Sequence, residues 1–147
     1  MKLSYAKASK DRRALHSYQG LQEDIRDMRT PPIEVWKNKY NDRDYRVKIE
    51  TEEFSCICPK TGLPDFAALK IEYVPDKMCV ELKSFKLYLV SFRNVGIFHE
   101  HVTNRILDDM VKACRPRYMR LEMTYNIRGG IKTTTLAEYR KKGYRQR

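Results

Sequence analysis

Most of the side chains that could carry out chemistry lie in one stretch, residues 58–100. The stretch begins with Cys58 and Asp65 and ends with His99 and Glu100. A thiol, carboxylates and an imidazole are the groups that proteins use for nucleophilic attack and proton transfer. Their presence in one stretch predicts a site, provided that the fold brings them together.

Cys58 is the first candidate for a reactive group. It follows a predicted strand and precedes the turn Pro59-Lys60-Thr61-Gly62. Partial exposure and a nearby cation such as Lys60 favour the thiolate form of a cysteine. Cys56 lies two residues earlier on the same predicted face, and a buried cysteine behaves as a small inert hydrophobe. We therefore predict that Cys58 is the more reactive of the two.

Two carboxylates have both a structural and a chemical interpretation. Asp65 could exchange protons with a thiol-bound intermediate if its loop folds back, but it also fits a turn or helix cap. Glu100 begins a predicted helix, where the helix dipole favours a negative charge whatever its role. It could also accept two hydrogen bonds from the NH and NH2 edge of a guanine-like base. The residues alone leave these alternatives open.

Residue spacing shows no signature of a metal site or of a glycine-rich dinucleotide site. Cys58, His99 and His101 are acceptable zinc ligands, but their spacing matches no known zinc pattern, so no metal is predicted. The glycines form neither a Gly-x-Gly-x-x-Gly nor a Walker loop, so a dinucleotide would be held by cations and apolar faces. The cations available for its phosphates are Lys83, Lys86, Arg93 and Arg128.

The elements that must position these residues follow the order strand, strand, helix, helix, strand, strand. We predict strands at residues 45–56 and 69–73, helices at 84–92 and 99–114, and a hairpin of strands at 119–127 and 131–135. Residues 84–92 fit a helix or a strand by periodicity and are assigned to a helix. The order predicts an α+β fold, with an antiparallel four-stranded sheet and two helices on one face. The two free sheet edges favour pairing with another subunit.

The chain length suits one domain with two loose ends. At 147 residues it is long enough for one core but short for two. We expect a flexible N-terminal extension at residues 1–30, a single catalytic domain at 31–139 and a basic tail at 140–147. The net charge of +11 is concentrated at the ends, because the tail alone has five basic residues and no acidic one. Such a tail is typical of a solvated, mobile end, so nucleic-acid binding is not favoured.

Cysteine usage and hydropathy bear on the compartment. The chain has four cysteines that form no spaced CxxC pair, and no apolar signal segment precedes them. We therefore expect reduced thiols in a cytoplasmic protein. No apolar run approaches the roughly 20 residues needed to span a bilayer, so no membrane partner is expected.

Five separated motifs carry a family resemblance. They are residues 58–66 (CPKTGLPDF), 81–88 (ELKSFKLY), 91–94 (SFRN), 98–100 (FHE) and 128–130 (RGG). Together they resemble the single-module nitrile reductases that convert 7-cyano-7-deazaguanine to 7-aminomethyl-7-deazaguanine in queuosine biosynthesis. The likeness covers residues 42–131, most of the predicted core, and the combination of motifs is highly specific.

The resemblance implies a tunnelling fold, in which subunits join their sheets into a barrel with active sites at subunit interfaces, as in GTP cyclohydrolase. It implies a homo-oligomer, a decamer built from pentamers. Cys58 would attack the nitrile carbon to form a thioimide, Asp65 would donate a proton, and two NADPH would supply hydrides. The implied substrate-binding residues are Val80, Glu81, Leu82, His99 and Glu100. The implied cofactor-binding residues are Lys83, Lys86, Arg128 and Gly129.

Two other functions are kept as alternatives. Archaeal relatives act as amidinotransferases that add ammonia to the nitrile of 7-cyano-7-deazaguanine in tRNA. They share the thiol chemistry, and binding of tRNA would account for the basic ends. The intact motif at residues 81–88 argues against them, because an enzyme that does not reduce its substrate has no need of it. The third alternative is a basic RNA-binding module without enzymatic activity.

Overall fold

A computed structural model of the chain describes residues 29–145. Nearly all of the predicted N-terminal extension, residues 1–30, therefore lies outside the described residues. The elements are β1 (Val35–Lys37), β2 (Val47–Ile57), β3 (Pro64–Val74), β4 (Met78–Val80), α1 (Leu82–Val90), α2 (His99–Cys114), β5 (Tyr118–Tyr125) and β6 (Thr134–Arg140). The predicted α+β class is confirmed.

The strands form two antiparallel sheets. The larger has four strands in the order β2-β3-β5-β6, and the smaller pairs β1 with β4. Our predicted order of elements omits β1 and β4, which are three residues long and too short to show an alternation of period two. The smaller sheet matters for function because β4 leads directly into α1.

One hydrophobic core lies between a single face of the large sheet and the two helices. Its sheet side includes Leu69 and Leu121, and its helix side includes Phe85 and Ile106, all at most 2% exposed. The opposite sheet face is lined by charged side chains such as Lys70 of β3. This two-faced arrangement follows from the period-two alternation of the strands. No helix among the described residues is long and apolar enough to cross a membrane.

A β-bulge in β2 turns the side chain of Cys56 toward the core. The register between β2 and β3 shifts between Thr51 and Phe54, where two consecutive exposed glutamates, residues 52–53, occupy the irregular segment. Before the shift Ile49 packs against the core, and after it Phe54 and Cys56 are buried. The regular strand predicted from the sequence does not include this bulge. Its extra residue moves every later side chain to the other face of the strand.

The helix predictions differ in accuracy. Helix α2 spans the predicted residues, His99–Cys114, and ends where Arg115 adopts a left-handed conformation with φ 45°. Helix α1 begins two residues earlier than predicted, because Glu81 serves as its N-cap and accepts hydrogen bonds from the backbone N–H groups of Lys83 and Ser84. A side-chain cap of this kind satisfies N–H groups that have no partner within the helix.

The final hairpin also differs from its prediction. The turn lies at residues 128–131, where Gly129 and Gly130 have φ values of 56° and 77°, a conformation that favours glycine. Strand β6 begins at Thr134 and runs to Arg140, not from residue 131 to 135. The strand therefore includes the first residue of the predicted tail.

Residues just after β6 are bonded to the body. The Lys141 backbone N–H donates to the Arg117 carbonyl over 2.9 Å, and Lys141 Nζ lies 2.7 Å from Asp76 Oδ2. The Tyr144 hydroxyl donates to Asp44 Oδ2 over 3.0 Å. The predicted solvated, mobile end is thus wrong for this part of the segment, since its contacts are with residues far away in the sequence.

Candidate active site

A tight loop between β2 and β3 holds Cys58. The Cys58 backbone N–H donates to the Leu63 carbonyl, and the Gly62 N–H donates to the Cys58 carbonyl, both over 2.9 Å. Gly62 has a φ of 69°, so a residue without a Cβ suits this position. The loop keeps Cys58 half-buried just beyond the end of β2.

The environment of Cys58 favours its thiolate. Burial alone would raise the pKa of the thiol, and the charge of Asp65 acts in the same direction. Hydrogen bonds from the Thr61 hydroxyl and from the backbone N–H groups of Thr61 and Lys60 outweigh both, so the pKa of Cys58 is lowered. Because the thiolate is the nucleophilic form, this loop can prepare a sulfur for attack.

Cys56 has the opposite environment. Its side chain is fully buried, with 0% exposed, and its Sγ lies 4.0 Å from the Ile97 carbonyl oxygen. Burial raises the pKa of Cys56 to about 12, and the nearby Asp65 charge contributes in the same direction. A buried, protonated thiol is a poor nucleophile, so the chemistry of the two cysteines is separated by the end of one strand.

Asp65 sits at the start of β3 between two basic side chains. Its carboxylate is 5% exposed, with Oδ1 3.2 Å from Arg128 Nε and Oδ2 3.1 Å from His99 Nε2. The Arg128 guanidinium also donates to the carbonyl oxygen of Pro64. Each oxygen of the carboxylate is therefore held by a different segment of the chain.

The segment before α2 is attached to the end of β2, and this attachment brings His99 to the site. Ile57 donates its backbone N–H to Val95 over 2.9 Å and accepts from Ile97 over 3.0 Å. His99, the first residue of α2, then stacks on Tyr125 of β5, with ring centroids 3.4 Å apart and planes 7° from parallel. The histidine ring is thus fixed by a strand on one side and by Asp65 on the other.

The neighbours of His99 in the first turn of α2 are more exposed than His99 itself. Glu100 is exposed, and its backbone carbonyl accepts a hydrogen bond from the Asn104 side chain over 2.8 Å. His101 is exposed and its ring lies 6.1 Å from that of Phe98. Within residues 29–145 no group of three or more His, Cys, Asp or Glu side chains could hold a metal ion.

The other predicted site residues lie where β4 meets α1. Val80 is only 4% exposed, so its side chain belongs to the core, whereas Leu82 is 58% exposed. The Glu81 carboxylate caps α1, and hydrogen bonds from the N–H groups of Ser84 and Lys83 lower its pKa. Lys83 and Lys86 are exposed on the same helix.

The predicted residues therefore form two groups. The first, which we call the thiol group, contains Cys58, Asp65, His99 and Arg128. The second, the helix group, contains Val80, Glu81, Leu82, Lys83 and Lys86. Among the described residues no hydrogen bond or ion pair connects the two groups. Glu100 and Gly129 adjoin the thiol group along the chain.

A groove with a volume of about 640 Å³ lies beside the helix group. Strand β2 and helix α1 form its walls, and its apolar lining includes Phe54, Phe85 and Leu89. Lys86 and Arg93 add two positive charges to the lining, and Glu53 adds one negative charge. Exposed ammonium and guanidinium groups beside apolar surface suit an anionic nucleotide. Because the sequence has no glycine-rich dinucleotide motif, binding by cations and apolar faces was predicted.

Two residues around the thiol group, Thr61 and Tyr125, were not predicted from the sequence. Thr61 supplies the hydroxyl that stabilises the Cys58 thiolate, and its place in the turn after the cysteine was the available signal. Tyr125 supports the His99 ring and is 3% exposed. The alternation of β5 predicted that Tyr125 faces inward. It did not predict that Tyr125 contacts His99 at the start of α2.

A comparison with protein families identifies the chain's relationships. The family model described as QueF-like protein matches residues 64–144, which include Asp65, both groups' helices and Arg128. The chain belongs to the QueF-like family. Of the residues in the thiol group and the helix group, Cys58 alone lies before the matched residues.

Curated relatives of this QueF-like chain share more than half of its aligned residues. A protein from Nitrosococcus oceani is 57% identical over 112 residues, 76% of this chain and 87% of the relative. A protein from Chlorobaculum tepidum is 56% identical over 109 residues, 74% of this chain and 93% of the relative. Both relatives are named NADPH-dependent 7-cyano-7-deazaguanine reductase.

A solved structure supports the fold. The QueF-like chain resembles the crystal structure of the archaeosine synthase QueF-Like in the apo form, with a TM-score of 0.60 and 24% identity. The match covers 63% of this chain and 91% of the other. At this identity the likeness concerns the arrangement of helices and strands.

Proposed function

We propose that this chain is an NADPH-dependent 7-cyano-7-deazaguanine reductase, which reduces the nitrile to the primary amine of 7-aminomethyl-7-deazaguanine for queuosine biosynthesis. The names of its relatives support this activity. The observation that carries the proposal is a half-buried thiol with a lowered pKa, Cys58, next to the buried Asp65 carboxylate. A nitrile carbon is electrophilic, so a thiolate can attack it without a metal.

Cys58 and Asp65 divide the first step between them. Asp65 takes the proton of the Cys58 thiol, and the resulting thiolate forms a bond to the nitrile carbon as one π bond of the nitrile breaks. The nitrile nitrogen then receives that proton from Asp65, giving a thioimide. Asp65 suits this role because its carboxylate is held at both oxygens and shielded from solvent. Preorganised proton donors are effective because they need no rearrangement during the reaction.

Substrate recognition falls to the start of α2. The exposed Glu100 carboxylate can accept two hydrogen bonds from the NH and NH2 edge of the deazaguanine, and His99 lies beside it. The backbone around Val80, together with Glu81 and Leu82, is proposed to complete the base site. Because the Glu81 carboxylate already caps α1, we assign it a positioning role for this helix start.

Lys83, Lys86, Arg128 and Gly129 are proposed to hold NADPH. The exposed ammonium groups of Lys83 and Lys86 and the half-exposed guanidinium of Arg128 have donors available for phosphates. NADPH supplies the hydride equivalents, two per nitrile. The N–H groups at the start of α1 are used by Glu81, so these side chains, and not the helix end, must bind the phosphates.

We further propose that a second copy of the chain completes the site, within a tunnelling-fold barrel that assembles as a decamer of two pentamers. The separation between the thiol group and the helix group supports this. So do four exposed apolar side chains beside the thiol group, Leu63, Phe66, Ile127 and Ile131, which are 50–70% exposed. Strands β2 and β6 provide two free edges for pairing. Native mass spectrometry would give the subunit number.

The activity is tested by mixing the protein with 7-cyano-7-deazaguanine and NADPH and following the absorbance of the reduced nicotinamide. We expect two NADPH to be oxidised for each nitrile consumed. Cys58→Ala should lower this rate by more than about 10³-fold, because loss of a covalent nucleophile removes the reaction path. The matched control, Cys56→Ala, should keep the reaction.

A second measurement follows the mass of the protein with the nitrile alone. Wild-type and Cys56→Ala proteins should gain the mass of the substrate, and Cys58→Ala should not. An adduct without oxidation of NADPH, with amidine formed from ammonia, would instead identify an amidinotransferase. A protein with neither activity, and with RNA affinity that falls steeply with salt, would be a binding module. Retention of the thiol chemistry also requires a reducing compartment, which supports a cytoplasmic location.

A further inference from the structure

The contact between Arg128 and the Pro64–Asp65 pair gives this arginine a place near the reacting atoms. The guanidinium Nε lies 3.2 Å from Asp65 Oδ1, and the same group donates to the Pro64 carbonyl. Pro64 and Asp65 are the first residues of β3, directly after the loop that holds Cys58. One planar side chain therefore fixes both the backbone and the carboxylate at this point.

His99 holds the second oxygen of Asp65. Its Nε2 lies 3.1 Å from Oδ2, and its ring is stacked on Tyr125. The carboxylate thus has one rigid contact from the start of α2 and one from the connection between β5 and β6. Loss of either contact would leave the carboxylate freer to rotate about its last side-chain bond.

Arg128 is the exposed partner of this ion pair. Its side chain is 43% exposed against 5% for Asp65, so water screens the guanidinium charge and weakens the contribution of the pair to folding. Gly129 and Gly130, which follow it, have open space around the position of a Cβ. The contact with Asp65 is therefore better explained by orientation of the carboxylate than by stability.

The guanidinium is not used up by these contacts. Among residues 29–145, its contacts engage Nε and one hydrogen of Nη2, which leaves three of the five N–H donors that an arginine offers. An anion can bind to these without displacement of Asp65. A cofactor contact and a contact with Asp65 are therefore compatible on one side chain.

We propose that Arg128 is a positioning residue for Asp65, and that it acts in the step that precedes and does not need NADPH. This inference rests on the proposed function, since the step is the formation of the thioimide from the Cys58 thiol and the nitrile. Arg128 holds the Asp65 carboxyl where the nitrile nitrogen receives its proton. A contact to the cofactor alone would leave this step unaffected.

The test measures the rate of the covalent mass adduct with 7-cyano-7-deazaguanine in the absence of NADPH. Arg128→Gln should slow it by about 10- to 100-fold, because misplacement of a reacting group by about 1 Å costs this much. Arg128→Lys keeps the charge but loses the planar fork, so we expect an intermediate rate. The matched control is Lys132→Gln, which removes an exposed positive charge nearby and should keep the wild-type rate.

A double-mutant cycle separates positioning from a general structural effect. In the Asp65→Asn background, Arg128→Gln should cause little further loss, since its effect passes through Asp65. Fully additive losses would overturn the inference, and so would a wild-type rate in Arg128→Gln. Failure of the proposed function is distinct, because then the wild-type protein itself would form no adduct and oxidise no NADPH.

Discussion

Asp65 lies near the start of β3 and Asp76 two residues beyond its end, and each is held by two basic side chains. The Asp65 carboxylate is 5% exposed and contacts His99 and Arg128 at 3.1 and 3.2 Å. The Asp76 carboxylate is 16% exposed and contacts Lys141 at 2.7 Å and Arg117 at 3.3 Å. Residue type, burial and number of partners are similar at the two ends.

The difference lies in what else the partners bind. Arg117 also pairs with Asp44 at 2.7 Å and donates to the carbonyl oxygens of Arg43 and Asn41, so its donors are committed to the fold. A hydrogen bond from Lys141 is the main reason that the pKa of Asp76 is lowered, with Arg117 adding to it. This end of β3 fastens the chain that follows β6.

At the Asp65 end of β3, hydrogen-bond donors remain available for a ligand. Arg128 is half-exposed and has N–H donors that no other described residue engages, and the adjacent Cys58 thiol has a lowered pKa. Similar ion pairs can thus serve stability at one end of a strand and chemistry at the other. The Asp65 end differs from the Asp76 end in two ways: it has a reactive thiol nearby, and the basic partner Arg128 keeps N–H donors that its contacts do not engage.

The largest expected difference between the two ends is in catalysis. Asp65→Asn should lower the rate of NADPH oxidation by about 10²- to 10⁴-fold, the usual contribution of a positioned proton donor. Steady-state kinetics with 7-cyano-7-deazaguanine measure this, with Asp76→Asn as the matched control at the other end of β3. Equal losses in both variants would remove the functional distinction between the two carboxylates.

The second expected difference is in stability. Asp76→Asn should lower the free energy of unfolding by about 1–3 kcal/mol at neutral pH, since it removes charge-assisted hydrogen bonds at a mostly buried site. Urea unfolding measures this change, and Asp65→Asn should show a smaller one. An unchanged unfolding midpoint for Asp76→Asn would show that the attachment after β6 is not a stabilising feature.

The pH dependence of that loss has a definite sign. The pKa of Asp76 is lowered in the folded state, so its contribution is present above the unfolded pKa of about 3.9. It is lost as the pH falls through the lower folded pKa. The difference between wild-type and Asp76→Asn proteins should therefore shrink below about pH 4.

A smaller effect tests the reactive neighbour of Asp65. Thr61→Val removes a hydroxyl that lowers the pKa of Cys58, so this pKa should rise and the pH profile of thiol alkylation should move to higher pH. Alkylation by iodoacetamide, followed by mass spectrometry, measures the shift. Thr51→Val is the control, because its hydroxyl accepts from Glu53 and not from the loop. Coincident profiles for the two variants and the wild type would exclude this role of Thr61.

The smallest effect concerns a third carboxylate, Asp109, which extends the comparison to the helices. Tyr88 of α1 donates to Asp109 of α2 over 2.7 Å, and Arg105 lies 2.7 Å from the same oxygen. Tyr88→Phe should lower the free energy of unfolding by about 0.5–1.5 kcal/mol, since Asp109 keeps its cation. Urea unfolding should show no change for Tyr40→Phe, whose ring is 60% exposed.

Much of the fold was predictable from local patterns. The repeat of apolar residues every four positions predicted α2 to its end residues, and strand alternation predicted the members of the large sheet. The missed parts, β1 and β4, are three residues each and form only because they pair with each other. A pattern of period two needs more residues than such strands contain.

The candidate site was predictable in its composition but not in its contacts. The turn after Cys58 correctly indicated a half-buried thiol, and the separated motifs indicated the family. The contact of Asp65 with Arg128, and the capping of α1 by Glu81, were not expected. The contact between Asp65 and Arg128 joins residues that are far apart in the sequence. The cap of α1 uses the Glu81 carboxylate, for which the family resemblance implied a role in substrate binding.

The sequence by itself determined the helix stripe, the strand faces up to the bulge, the turn that holds Cys58 and the set of reactive side chains. These depend on neighbours within a few residues, where periodicity and turn chemistry act. Only the tertiary structure decided that Cys56 is buried, because the bulge is defined by the register of β2 against β3. It also decided that His99 and Arg128 meet Asp65, because closure of long loops depends on packing of the whole sheet against α2 and not on any local preference.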